Sequence, residues 1–161
     1  MSPTQLRADR SIAAPAHTIF AVLADPARHT EIDGSGMLRG LAGACEPVRE
    51  VGEEFFMEMH QDALGPYQMA NKVIAFEPDR VIGWQPRMER APESAPEMGG
   101  HGPRGQTYTY ELHPEGDGRT RVTQVYDWSA VTAPEILARM PRVSEQDLAD
   151  TLERLARAVE D

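Results

Sequence analysis

Apolar and polar residues alternate along the middle of the chain, whereas both ends carry apolar residues at helical spacing. The segment 5–12 alternates loosely and predicts a first strand. The apolar residues within 19–23 recur at helical spacing and predict a short helix, with Pro15 at its first helical position. A second helical turn is predicted over 27–31.

Short turn-forming segments divide the middle of the chain into candidate strands. Such segments occur at Gly52, 64–66, 77–79 and 114–118. Because strands joined by short turns pair with their neighbours, the pattern predicts an antiparallel meander. The predicted strands are 37–41, 48–51, 54–62, 67–76, 81–85, 107–113 and 121–128.

The C-terminal segment predicts one amphipathic helix after a turn at 132–134. Ser144 is followed three residues later by Asp147, which is an acidic form of the capping box. Apolar residues from Leu148 to Val159 then recur on one face, and the opposite face is charged. Since a one-sided helix must lie on an apolar surface, we expect an α+β fold in which the sheet curves around this helix and leaves a cavity.

The segment 86–105 interrupts the strand pattern. It is rich in proline and glycine and has no hydrophobic period. Two interpretations stay open: a flexible surface loop, or a lid over the mouth of a pocket.

Composition and charge narrow the function classes. The 161 residues predict a single domain over 1–161. With 16 basic and 26 acidic residues the net charge is −10, which argues against binding to nucleic acid or to anionic membranes. No apolar run reaches transmembrane length, and the first residues lack the apolar core of a signal peptide, so we expect a cytoplasmic protein without membrane insertion. The lone Cys45 excludes a disulfide framework.

Several stretches together resemble one known family. They are SIAAPAHTIFAVLADPARHTEIDGSG (11–36), the FxMxM strand at 55–59, LGPYQMANKVIAFEPDRVIGW (64–84), TYTYEL (107–112) and TRVTQVYDWS (120–129). They are similar to polyketide cyclase/dehydrase-like proteins of the START-related, birch-pollen-allergen-like (SRPBCC) superfamily. The resemblance implies a helix-grip fold, in which a curved antiparallel sheet of about seven strands wraps a long C-terminal helix. Two short helices follow the first strand in such folds, and members bind or transform apolar ligands.

The inner face of the predicted sheet supplies candidate ligand-binding residues. We assign it by alternation, because Glu58, Lys72 and Glu111 on the other face prefer water. The alternative is that the inner residues fill an ordinary core. Asn71 either binds a ligand oxygen or pairs with a neighbouring tyrosine. The candidates are Phe55, Met57, Met59, Tyr67, Asn71, Trp84, Tyr108, Tyr110, Tyr126 and, on the helix, Leu152; Ile82 and Trp128 share the sheet face.

His29 and Asp33, in the segment HTEIDGSG, are the candidate catalytic residues. A histidine beside a carboxylate can serve as a general base in an aldol-type cyclisation. The alternative for Asp33 is a turn with Gly34. The spacing matches no metal template, and we expect neither a metal nor a cofactor.

These observations predict binding of a small apolar molecule, aromatic or polyketide- or lipid-like. One alternative is a cofactor-independent cyclase or dehydratase. Another is a protein-interaction module, as in the distantly similar heat-shock ATPase activators, which requires an exposed apolar patch. A homodimer stays an open alternative.

Overall fold

A seven-stranded antiparallel sheet curves around the C-terminal helix in the computed structural model, which describes residues 3–160. The strand order is β1-β7-β6-β5-β4-β3-β2, so six strands follow the chain and the first closes the far edge. The α+β helix-grip fold is therefore confirmed. The strands are β1 (Gln5–Ile12), β2 (Leu38–Leu41), β3 (Glu54–Gln61), β4 (Gly65–Glu77), β5 (Val81–Arg90), β6 (Thr107–Gly116) and β7 (Arg119–Asp127).

Within residues 3–160, four α-helices and two 3-10 turns accompany the sheet. The two helices predicted after the first strand are present, but Pro15 occupies the capping position before the first of them. A third short helix lies where the sequence predicted only a turn. The helices are α1 (Ala16–Leu23), α2 (His29–Ile32), α3 (Pro134–Leu137) and α4 (Glu145–Val159), and the 3-10 turns are Pro26–Arg28 and Pro96–Met98.

Helix α4 begins with the predicted capping box. The Ser144 hydroxyl accepts a hydrogen bond from the Asp147 N–H at 3.1 Å, and the Asp147 carboxylate accepts one from the Ser144 N–H at 2.9 Å. These bonds satisfy two of the donors that a helix start leaves unpaired. The inner face of α4 packs in the core with Ile19 and Leu23 of α1. Burial of this apolar face holds the helix against the sheet.

Strand β5 is longer than predicted, so its expected end at Gln85 is wrong. It continues to Arg90 and includes Pro86, which the sequence placed in the loop. Its pairing with β6 stops at Trp84, and beyond that point it pairs only with β4. Proline is tolerated there because one edge of the strand is free. The gap between β5 and β6 opens the sheet beside the loop over 91–106.

Two other strand predictions also differ from the structure. The segment 48–51 is not a strand, because Val48 is buried and its N–H bonds to the Ala24 carbonyl at the end of α1. In β4 the pairing shifts between Val73 and Ala75. This irregularity places Phe76, rather than Ala75, against the ring of Phe20.

The loop after α2 touches helix α4 through Gly34. The Gly34 N–H donates to the Thr151 hydroxyl at 3.0 Å. A Cβ at Gly34 would lie 2.5 Å from the Asp147 carbonyl oxygen and 2.6 Å from the Thr151 nitrogen. Only glycine allows the two backbones to approach so closely. This contact fixes the end of α2 relative to α4.

We predict that Gly34→Ala lowers the free energy of unfolding by about 1–3 kcal/mol, because the loop must move away from α4. Chemical denaturation checks this value. Gly99→Ala is the matched control, since its Cβ would meet nothing closer than 3.3 Å and its φ is −87°. Equal effects of the two substitutions would contradict a specific role for the Gly34 contact.

Candidate ligand-binding cavity

A cavity of about 460 Å³ lies between the concave face of the sheet and the first half of α4. This volume is in the range of about 300–1,000 Å³ that is typical of small-molecule sites. Its walls come from the sheet, from the loop over 91–106, and from the segment that joins β7 to α4. Apolar and aromatic side chains predominate in the lining, as in sites for organic ligands.

A cluster of aromatic rings forms one wall of the cavity around Trp84. The His29 ring stacks on Trp84 with centroids 5.1 Å apart, and the Phe55 ring meets Trp84 edge-on at 5.5 Å. Tyr110 lies on the remaining side, 5.6 Å from Trp84. These four side chains all line the cavity. Their mutual contacts fix the rings, so the wall is preformed.

Tyr110 is a buried hydrogen-bond donor with a free proton. Its hydroxyl oxygen accepts a bond of 2.9 Å from the Gln124 amide nitrogen. Burial raises the pKa of Tyr110 well above its usual value, so the hydroxyl stays neutral. Because Gln124 occupies one acceptor position, the hydroxyl proton remains available to a molecule in the cavity.

His29 is a buried, neutral imidazole. Its Nε2 lies 2.8 Å from the Leu23 carbonyl oxygen. A carbonyl can only accept, so Nε2 carries the proton and Nδ1 carries a lone pair. Burial lowers the pKa of His29, and the Leu23 hydrogen bond only partly opposes that shift. No protein group within residues 3–160 hydrogen-bonds to Nδ1.

Asp33 also lines the cavity, but its carboxylate organises its own loop. It accepts bonds of 2.7–3.2 Å from Ser35, from the Gly36 N–H and from the Leu38 N–H. Both carboxylate oxygens are thus engaged in hydrogen bonds within this loop. The structure therefore gives Asp33 the turn-forming role, and its expected catalytic role lacks support.

Other buried amides in the lining have incomplete hydrogen bonding. Asn71 is only 8% exposed, and its side chain has no hydrogen-bond partner among residues 3–160. Pairing with a neighbouring tyrosine, the alternative considered above, does not occur, because the tyrosine hydroxyls of the described residues bond to other groups and not to Asn71. The side-chain oxygens of Gln106 and Gln124 are also buried without a protein partner. Such groups normally find one. The two glutamine oxygens are fully enclosed, so the unused hydrogen-bonding capacity of the cavity lies with Asn71.

Eight of the ten predicted ligand-binding residues line the cavity, and Tyr126 and Leu152 do not. Tyr126 is completely buried, stacked 4.6 Å from Tyr108 and covered by Trp128. Leu152 lies in the core one turn beyond Leu148, which does line the cavity. Alternation predicts the face of a residue but not its depth below the surface. The eight are Phe55, Met57, Met59, Tyr67, Asn71, Trp84, Tyr108 and Tyr110.

The sequence missed much of the lining. Met69 shares the face of Tyr67 and Asn71, so alternation alone could have found it. Other lining residues lie on irregular segments, where no period gives their direction. They include Met98, His101 and Arg104 in the loop, Arg139 and Arg142 before α4, and Gln106 at the start of β6.

Neither a metal cluster nor a membrane-spanning helix is present among the described residues. Residues 3–160 contain no group of three or more His, Cys, Asp or Glu side chains placed to hold a metal ion. None of the helices in this range combines the length and apolar character that a membrane crossing requires. Cys45 lies outside the cavity lining, and burial raises the pKa of its thiol.

The chain resembles known proteins over almost its whole length. Residues 3–160 match the family described as polyketide cyclase/dehydrase and lipid transport. An uncharacterized protein of Mycobacterium tuberculosis is 31% identical over 131 residues, which are 81% of this chain and 50% of the relative. The chain thus spans about half the length of the curated relatives that it matches.

Solved structures share the fold at low sequence identity. A Chromobacterium violaceum protein has a TM-score of 0.62 at 20% identity, covering 99% of both chains. A protein from the dynemicin biosynthetic locus has a TM-score of 0.60 at 16% identity, covering 97% of this chain and 47% of the other. The sequence match and the helix-grip fold agree, and the chain belongs to the polyketide cyclase/dehydrase and lipid transport family of the START-related superfamily.

Proposed function

We propose that this protein binds a small apolar molecule, aromatic or polyketide- or lipid-like, in the cavity between the sheet and α4. The observation that carries the proposal is a preformed aromatic cavity in whose lining the Asn71 amide and Nδ1 of His29 lack partners among residues 3–160. The methionines of the lining add adaptable apolar contacts. The family to which the chain belongs supports the same general class of ligand.

Tyr110 and Asn71 would set the orientation of the ligand. The Tyr110 hydroxyl has a proton to donate, and the Asn71 amide offers both a donor and an acceptor. A ligand oxygen near these groups would satisfy them, while rings of the ligand lie against Trp84. Apolar burial would supply most of the affinity, and the few polar groups would supply selectivity.

The protein-interaction alternative has little support in the described structure. Within residues 3–160 the exposed large apolar side chains are Val51, Ile74 and Leu137, on three different segments. A docking surface needs a contiguous apolar patch of several hundred square ångströms. Single exposed apolar residues do not provide one.

We predict that Met69→Trp weakens binding of the neutral fluorescent probe N-phenyl-1-naphthylamine by about tenfold or more, because the larger ring occupies part of the cavity. Titration by the emission of the probe measures this change. Ile74→Trp is the matched control, since Ile74 lies on the same strand but is exposed and outside the lining.

Two results would count against the binding proposal. One is a wild-type protein that does not bind the probe, and the other is an equal loss of affinity in both tryptophan variants. Native mass spectrometry of freshly purified protein, followed by solvent extraction, would identify any resident molecule.

The state of His29 favours a second candidate function, the cofactor-independent cyclase or dehydratase. Its Nδ1 lone pair can take a proton from a carbon next to a carbonyl group. The electron pair of that C–H bond forms the C=C bond of an enolate, and the π pair of the carbonyl moves onto its oxygen. The Tyr110 hydroxyl stabilises this oxygen by a hydrogen bond. Such an enolate is the species that attacks a second carbonyl in ring closure.

Exchange of the α-protons of 1-tetralone into D2O, followed by NMR, tests this activity. We expect faster exchange than in buffer, and loss of that gain in His29→Gln. Because burial lowers the pKa of His29, the unprotonated base persists below the ordinary value of 6.5. The gain is the difference between the exchange rates with and without protein. This difference should therefore be constant above pH 6.5 and should fall only at lower pH.

His113→Gln is the control for the exchange experiment, because His113 is an exposed histidine outside the cavity. It should exchange the probe as the wild type does. A gain that survives His29→Gln would remove His29 as the base. A gain that declines already above pH 6.5 would disagree with the environment of that residue.

A further inference from the structure

Three arginines that line the cavity form no ion pair among the described residues: Arg104, Arg139 and Arg142. Arg87 also lines the cavity, but Glu54 and Glu89 neutralise it at 3.2 and 3.1 Å. The other ion-paired arginines of the described chain lie outside the lining: Arg28, Arg49, Arg90, Arg121 and Arg157. Within residues 3–160 the cavity lining therefore holds three arginines without an ion-pair partner, in a chain whose net charge is −10.

Arg142 is held in place by its main chain. Its N–H donates to the Tyr126 hydroxyl at 3.0 Å, and the next residue, Val143, is buried. The side chain itself is half-buried. Burial raises the pKa of Tyr67, the Gln61 hydrogen bond and the positive charge of Arg142 oppose that rise, and the charge of Asp33 adds to it. The charge of Arg142 thus acts on a tyrosine of the cavity lining.

Arg104 is positioned from the opposite segment. Gly105, with φ of +118°, lies so close to the chain before α3 that a Cβ would be 2.8 Å from the Ala130 carbonyl oxygen. Gln106, the next residue, is buried in the lining. Because Gly105 and Gln106 are both held by packing, the backbone of the half-buried Arg104 has a fixed position at the cavity wall.

Four carboxylates also line the cavity, and within residues 3–160 none of them forms an ion pair with these three arginines. Asp33 and Asp147 accept backbone hydrogen bonds within their own segments. Glu97 and Glu135 are exposed, where water screens their charge. The guanidinium groups of Arg104 and Arg142 have no hydrogen-bond partner among the described residues, so their donors are available to a ligand.

We propose that the ligand carries one anionic group, such as a carboxylate, which Arg104 and Arg142 bind at the mouth of the cavity. Arg139, which is exposed, adds attraction at longer range. The apolar body of the ligand then lies against the aromatic wall around Trp84. Guanidinium groups suit this role because they bind carboxylates through paired hydrogen bonds. The inference rests on the proposed function, and it narrows the class of ligand to amphipathic acids.

Two probes that differ by one anionic group test the inference: 1-anilinonaphthalene-8-sulfonate and the neutral N-phenyl-1-naphthylamine. The wild type should bind the sulfonate on the order of tenfold more tightly than the neutral probe. In Arg104→Gln/Arg142→Gln this preference should disappear, while affinity for the neutral probe stays the same. Unchanged binding of the neutral probe also shows that the variant is folded.

Two further variants separate local contacts from overall charge. Arg7→Gln/Arg10→Gln removes the same charge from exposed arginines outside the lining and should keep the preference. Glu97→Gln/Glu135→Gln removes the competing carboxylates and should strengthen binding of the sulfonate. Added salt should weaken sulfonate binding more than binding of the neutral probe.

The outcomes distinguish the two proposals. If the neutral probe binds but the sulfonate has no advantage, or if both arginine pairs act alike, the anionic-ligand inference is overturned and the apolar cavity stands. If neither probe binds the wild type, the proposed function fails, and the narrower inference fails with it.

Discussion

The cavity depends on the contact between the loop after α2 and the start of helix α4. At Gly34 the two backbones are so close that no Cβ fits, and a hydrogen bond to Thr151 holds them together. Both partners of this contact carry cavity residues, with His29 and Asp33 on one side and Leu148 and Thr151 on the other. The sheet supplies one wall of the cavity. The contact at Gly34 positions the loop after α2 and the start of α4, which line the opposite side.

Polar groups in the cavity lining form some hydrogen bonds within the protein and leave other donor and acceptor positions unused. Gln124 fills one position on Tyr110, and the Leu23 carbonyl fixes the proton of His29 on Nε2. In each case the protein uses one hydrogen-bonding position of the group and leaves another without a partner among residues 3–160. Burial keeps both groups uncharged, so the wall can donate and accept hydrogen bonds without placing a charge among aromatic rings.

Charged side chains and neutral aromatic side chains occupy different parts of the cavity lining. The neutral aromatic wall around Trp84 contrasts with the arginines on the irregular segments of the lining. Those segments reach the cavity because β5 and β6 separate beyond Trp84, which leaves space beside the sheet for the loop over 91–106. Because one fold can serve different functions through the residues grafted onto it, these irregular segments are the part of the cavity that the fold itself does not determine.

The sequence by itself determined the antiparallel meander from β2 to β7, the capping box at Ser144, and the inner face that carries Phe55, Met57 and Trp84. Periodicity reports which way a side chain points, because it follows from local backbone geometry. Only the tertiary structure decided depth: Tyr126 and Leu152 share the predicted inner faces, yet neighbouring side chains enclose them completely. It also brought Arg104 and Arg142 to one cavity, since they lie on segments without a period and are placed by packing around Gly105 and Tyr126.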